Sequence, residues 1–163
     1  MGLDANLYRE VSLPEDTELK GKEWDKIKKV LDKGTTIKHE SVCYWRKFNA
    51  LHKYFADNFG EENDNCTNMY LEIEDIIELR DLLKELSGKI KLGKGGAVKN
   101  PEVCEEMLPT TGGFFFGSTE YDEWYAEDIK NTVKMLDKVI AEHNELVKTV
   151  KEYDITYYYK AWY

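Results

Sequence analysis

The residues best suited to chemistry lie between Ser41 and Phe55: Tyr44, Trp45, Arg46, Lys47, Asn49 and His52. A guanidinium and an ammonium group bind phosphate, an amide and an imidazole hydrogen-bond a base or ribose, and flat rings stack on bases. With Tyr121 added from later in the chain, the set is suited to a phosphorylated nucleotide signal. The stretch must be carried by one element, and its spacing predicts a helix over Val42–Phe59, closed by Gly60. Trp45, Phe48, Leu51, His52, Phe55 and Phe59 then share an apolar face, with Arg46, Asn49 and Lys53 on its flank. Asn49 and His52, three apart, would reach one partner. Arg46 and Lys47 point about 100° apart on such a helix, so a straight helix does not aim both at one pocket.

A second candidate is negative. From Glu102 through Asp128 there are eight acids and no Lys or Arg. Glu120, Asp122, Glu123 and Glu127 are interleaved there with Tyr121, Trp124 and Tyr125. As a solvated helix start this needs no function. As a surface, carboxylates beside aromatic rings imitate phosphates and bases, and suit docking on a basic nucleic-acid groove. The net charge of −9 disfavours general nucleic-acid binding by the chain itself.

Catalysis is not expected. The chain has no GxSxG, no HExxH and no dinucleotide-binding glycine motif, and its three histidines are scattered. Cys43 would start the central helix, where a helix dipole lowers a thiol pKa, but His52 would lie about 13 Å farther along the same axis. No metal or other cofactor is expected. Cys43, Cys66 and Cys104 lack CxxC spacing and read as reduced thiols. No apolar run approaches a membrane span, and with no apolar leader the expected location is the cytoplasm.

The elements that must position these residues read as one α+β domain over residues 1–163. Strands are expected over Leu3–Val11, Asn68–Glu72, Gly113–Phe116 and Asp154–Tyr163, and helices over Ile73–Leu86 and Thr119–Lys148 besides the central one. The N- and C-terminal strands should share a small mixed sheet packed on these three helices. Residues 19–34 suggest an inserted helical arm. Residues 87–101, with Lys89, Lys91, Lys94 and Lys99 among glycines and no acid before Asn100, suggest a flexible lysine/glycine loop.

Three blocks carry a resemblance: Met1-Gly2-Leu3-Asp4, then Tyr44-Trp45-Arg46-Lys47 with Asn49 and Leu51-His52, and Leu108-Pro109-Thr110 followed by Gly113 to Asp122 and Tyr125. In these the chain resembles small, functionally unassigned proteins of phages and prophage regions. After Asp4, where such proteins often carry an apolar-aromatic pair, this chain has Ala5-Asn6. The resemblance implies an accessory protein in the host cytoplasm that binds a host protein, such as a nuclease or other defence enzyme, or sequesters a host signal. An anti-CRISPR-like inhibitor using the acidic face is the leading expectation. A binder or sponge of a nucleotide signal at Tyr44–His52 is the alternative, and a small enzyme the second alternative.

Overall fold

The computed structural model describes residues 2–13, 21, 22, 25, 37–60, 66–149 and 154–163. Four strands, β1 (Asp4–Ser12), β2 (Ile37–Arg46), β3 (Met69–Leu71) and β4 (Asp154–Trp162), form one sheet in the order β2-β1-β4-β3. The helices among the described elements are α1 (Asn49–Phe59), α2 (Ile73–Lys89), α3 (Pro101–Met107) and α4 (Glu123–Thr149). The fold is α+β, with the N- and C-terminal strands side by side at its centre.

Period-two alternation builds the two central strands. Ala5, Leu7, Arg9 and Val11 of β1 point inward, as do Tyr157, Tyr159 and Ala161 of β4. Each inward set pairs across the ladder, Leu7 opposite Tyr159 and Ala5 opposite Ala161, so one face is apolar enough to need cover. Every pairing is antiparallel, which corrects the expected mixed sheet. No described strands are joined by a crossover that would lay them parallel.

The largest correction concerns the central helix. Residues Val42–Arg46 belong to β2, and the helix begins only at Asn49. The chain turns at Lys47, whose φ is +58°, and Phe48. Trp45 on the strand and Phe48, Leu51 and Phe55 beyond the turn are all buried in the same core. A strand-to-helix corner that keeps its apolar residues on the core side mimics a 3.6-residue period. β2 pairs with β1 from Ile37 to Arg46 except at Val42, which the register shift between Leu7 and Tyr8 leaves without an opposite residue.

Two helices pack together and support the sheet. α2 buries Ile76, Leu79, Leu83 and Leu86, and opens with a reciprocal capping box between Glu72 and Asp75. Ile129, Thr132, Leu136 and Val139 are the fully buried ridge of α4. Trp45 Nε1 donates to Thr132 Oγ1 at 2.9 Å, joining β2 to α4 inside the core. Phe55 stacks on Tyr159 with centroids 4.1 Å apart, joining α1 to β4. Arg9, also on the covered face, is neutralised by Glu40 of β2 and, at 3.0 Å, Glu142 of α4.

Three further corrections follow. Gly113–Phe116 is a turn instead of a strand, closed by a bond from Phe116 N to Gly113 O at 3.1 Å. α4 starts at Glu123 instead of Thr119, because Asp122 caps it by accepting the Tyr125 amide at 3.0 Å. α3 was not expected; Pro101 opens it, where a missing N–H costs nothing. Between α2 and α3, Leu92 bridges Val98 and Ala97 bridges Asp122, so the lysine-rich segment is laid beside the acidic stretch. The arm expected over residues 19–34 falls, apart from Gly21, Lys22 and Asp25, outside the described residues. Among the described residues, no helix is long and apolar enough to cross a membrane.

Candidate functional site

β2 ends at Arg46, and the turn through Lys47 and Phe48 delivers the chain to α1 with Asn49 as its first residue. Asn49 is 2% exposed and satisfies its amide entirely on the 108–122 loop. Its Nδ2 donates to Phe116 O at 3.1 Å and Ser118 O at 2.8 Å, and its Oδ1 accepts the Thr111 amide at 3.0 Å. The loop also lies hard against the strand end. At Gly117, φ is +89°, and a side chain there would meet Lys47 Cβ at 3.0 Å. Glycine is therefore required on both conformational and steric grounds.

The rest of the loop is fastened to α3 and α4. Tyr125 is buried and donates to Leu108 O at 2.7 Å; burial drives its phenol pKa upward. Tyr121 donates to Glu105 and accepts the Thr110 amide, and Thr110 Oγ1 donates to Thr119 O at 2.9 Å. Burial, then the bond to Glu105, raises the Tyr121 pKa.

Between the strand end and the start of α4 lies a cleft of about 220 Å³. Arg46 and Lys47 line it together with Glu120, Asp122, Trp124 and Asp128, above buried Phe48, Asn49 and Tyr125. Both charge signs thus meet across one opening. Arg46 is only loosely held by Asp4, at 3.9 Å. Asp128 is half-buried, and its carboxylate has no hydrogen-bond or ion-pair partner among the described residues. Burial first, then Asp122 and Glu127, pushes its pKa up to about 6.

The two candidate stretches, about 70 residues apart in sequence, therefore converge. Arg46, Lys47 and Asn49 from the first share the cleft with Glu120, Asp122, Trp124 and Tyr125 from the second. The 100° objection to Arg46 and Lys47 lapses, because neither is on a helix. Glu123 and Glu127 are exposed near the start of α4. Tyr121 packs edge-on against Tyr125, with ring centroids 5.0 Å apart.

The other candidates lie elsewhere. Trp45 and His52 face the core, and the His52 Nδ1 sits 3.1 Å from the Tyr159 hydroxyl, buried between Phe116 and Tyr163. Asn49 and His52 are engaged differently: the Asn49 amide holds the loop through Ser118 O, while the His52 ring meets the Tyr159 hydroxyl of β4. Tyr44 stands on the exposed face of the sheet and donates to Asp4 at 2.5 Å. Cys43 is on β2 instead of a helix start, and burial, then Glu142, pushes its thiol up to about 12. A thiol so placed is a poor nucleophile. Among the described residues, no three His, Cys, Asp or Glu side chains are arranged to hold a metal ion.

Two features escaped the sequence. By type Asp128 is one acid among the eight from Glu102 through Asp128; its place one helical turn inside α4 brings it to the cleft. Phe114, expected in a buried strand, is 95% exposed at the tip of its turn. The glycines on both sides of Phe114–Phe116 are the signal that a turn competes with a strand there.

No protein-family model matches this chain, and no curated protein or solved structure matches it either.

Proposed function

We propose that this chain is a non-catalytic, phage-type accessory protein that acts by docking in the host cytoplasm. Its acidic, aromatic end, formed by Glu120, Asp122, Glu123, Trp124 and Glu127, engages the basic nucleic-acid groove of a host defence enzyme. The observation that carries this reading is Trp124, 71% exposed in the first turn of α4 and flanked in sequence by exposed carboxylates. Binding hot spots are enriched in tryptophan, and a Trp ring left in water is available to fill a pocket on a partner. The net charge of −9 adds long-range steering toward a basic partner. The test is a pull-down with purified guide-RNA effectors and nucleases at low and raised salt. Capture should weaken steeply with salt and vanish on combined charge reversal at Glu120, Glu123 and Glu127. Capture of none of these enzymes, or capture indifferent to the reversal, counts against the reading.

A second reading is favoured by one specific observation: Arg46 and Lys47 line one cleft next to the start of α1, which has no side-chain cap. Cationic side chains beside free helix N–H groups suit a phosphorylated nucleotide. Cyclic dinucleotides or ADP-ribose derivatives should then raise the melting temperature of the wild type and not of Arg46→Glu. A melting temperature unmoved by every such compound removes this reading.

A further inference from the structure

We infer that the cleft between the end of β2 and the start of α4 binds a free basic amino acid, its carboxylate on Arg46 and Lys47 and its cationic side chain against Trp124 and Asp128. The inference is independent of the docking reading, and it sets a smaller ligand against the nucleotide of the second reading. What carries it is that opposite charges line one opening without pairing. Arg46 and Lys47 come from the strand end, and Glu120, Asp122 and Asp128 from the loop and α4. Among the described residues no ion pair joins the two sets. Arg46 makes its one ion pair with Asp4, at 3.9 Å, and Lys47 and Asp128 make none.

The framework keeps the two sets apart. Asn49 fastens the loop to α1 through Ser118 O at 2.8 Å, and Tyr125 fastens α4 to Leu108 O at 2.7 Å. Asp122 spends one oxygen on the Tyr125 amide at 3.0 Å, capping α4. Charges of both signs held this way are matched by a molecule that carries both, and their fixed placement lowers the ordering cost of binding it.

Size and charge narrow the occupant. The cleft measures about 220 Å³, below the roughly 300–1,000 Å³ of pockets that enclose drug-sized ligands. An apolar cavity of about 150 Å³ already holds benzene, so the space suits an amino acid and not a whole nucleotide. Two cations and three carboxylates leave the lining at a formal −1. A basic amino acid, with one carboxylate and two cationic groups, carries +1 and neutralises it. Trp124, 71% exposed at the lip, selects among these ligands. A flat guanidinium stacks on an indole and forks onto a carboxylate, which an ammonium does not, so arginine is favoured over lysine. Half-buried Asp128, an acceptor without a donor, gains most from that fork.

The experiment is isothermal titration calorimetry on the full chain at neutral pH, with four probes. L-arginine should bind with a dissociation constant on the order of 0.1–1 mM. L-lysine should bind more weakly. L-citrulline, whose urea is the neutral counterpart of the guanidinium, and L-arginine methyl ester, whose carboxylate is masked, should each lose at least about tenfold. Asp128→Asn and Arg46→Ala should each weaken L-arginine by a similar factor, with melting temperatures no lower than that of the wild type. Carbon-detected NMR gives a second readout. The Asp128 carboxyl, raised to about 6 in the free protein by burial, Asp122 and Glu127, should titrate lower with L-arginine bound. A cation beside a carboxylate favours its charged form, even with Arg46 and Lys47 already lining the cleft. No binding of L-arginine, citrulline or the ester bound as tightly as L-arginine, or an Asp128→Asn variant that binds like the wild type overturns the inference. A cyclic dinucleotide bound where L-arginine is not also overturns it, in favour of the second reading. Either failure leaves docking to its own test, which reads Glu123 and Glu127 outside this cleft.

Discussion

The Asn49 amide nitrogen lies 2.8 Å from the Ser118 carbonyl, which makes the first residue of α1 the fastening point of the loop that walls the cleft. Its other bonds, to Phe116 O and from Thr111 N, leave no part of the amide idle. Asn49→Ala strands three partly buried backbone groups, at a cost of about 2–4 kcal/mol. A drop in melting temperature of roughly 5–15 °C is expected. Asn49→Asp keeps the acceptor for Thr111 and loses both donated bonds, so it should fall just as clearly. An unchanged melting temperature for either variant removes Asn49 from this role.

Deleting Tyr157–Tyr163 should abolish cooperative folding. The segment supplies most of β4, which pairs with β1 on one side and β3 on the other. It also removes Tyr157, Tyr159 and Ala161, all buried, from the core. Thermal denaturation followed by circular dichroism decides the matter; a truncated chain with a sharp transition near that of the full chain contradicts this topology.

Asp128 should make the protein more stable in mild acid than its other carboxylates would suggest. Its folded pKa, about 6, lies above the ordinary value of 3.8. The folded state therefore holds the proton more tightly, and this contribution is full below pH 3.8 and lost as pH rises through about 6. Asp128→Asn keeps the neutral form, so it should gain stability over the wild type above pH 6 and match it near pH 4. Urea unfolding midpoints at the two pH values measure this. Glu40 has the opposite sign: burial opposes its charge, but Arg9 and Lys38 hold its pKa below the ordinary value. Its contribution is present above the ordinary carboxylate range and fades as acid reaches its depressed pKa.

Thiol reactivity should rank the three cysteines by burial. Cys43 and Cys104 are buried, whereas Cys66 is only half so, and burial raises the pKa of both buried thiols. Native protein treated with iodoacetamide at neutral pH should be alkylated at Cys66 first, with Cys43 modified only on unfolding. Mass spectrometry of the digest reads the order; early alkylation of Cys43 contradicts its place on the covered face of β2.

Local pattern carried much of the fold. The alternation in Asp4–Ser12 and Asp154–Trp162 is a property of each strand alone, and two strands with one apolar side each need a common cover. The periodicity of Ile73–Lys89 and Glu123–Thr149 is likewise local, and the acids in their first turns mark where they begin. Asp122, not Thr119, caps the second, because several oxygen-bearing residues in a row offer competing caps that only the loop's path separates.

The site was legible as ingredients and not as a place. Arg46, Lys47, Glu120, Asp122 and Trp124 could each be picked out by type, but what joins them is a corner at Lys47 and a loop clamped by Asn49. Whether Val42–Arg46 is strand or helix depended on β1 offering a free edge, which no window around Trp45 contains. Phe114 is the plainest case. Its three-phenylalanine run is apolar enough for a buried strand, yet the turn between Gly113 and Gly117 leaves the first ring in solvent and tucks the third against His52 and Tyr163. Sequence determined which residues needed burial; long-range contacts, whose partners lie tens of residues away, decided which of them obtained it.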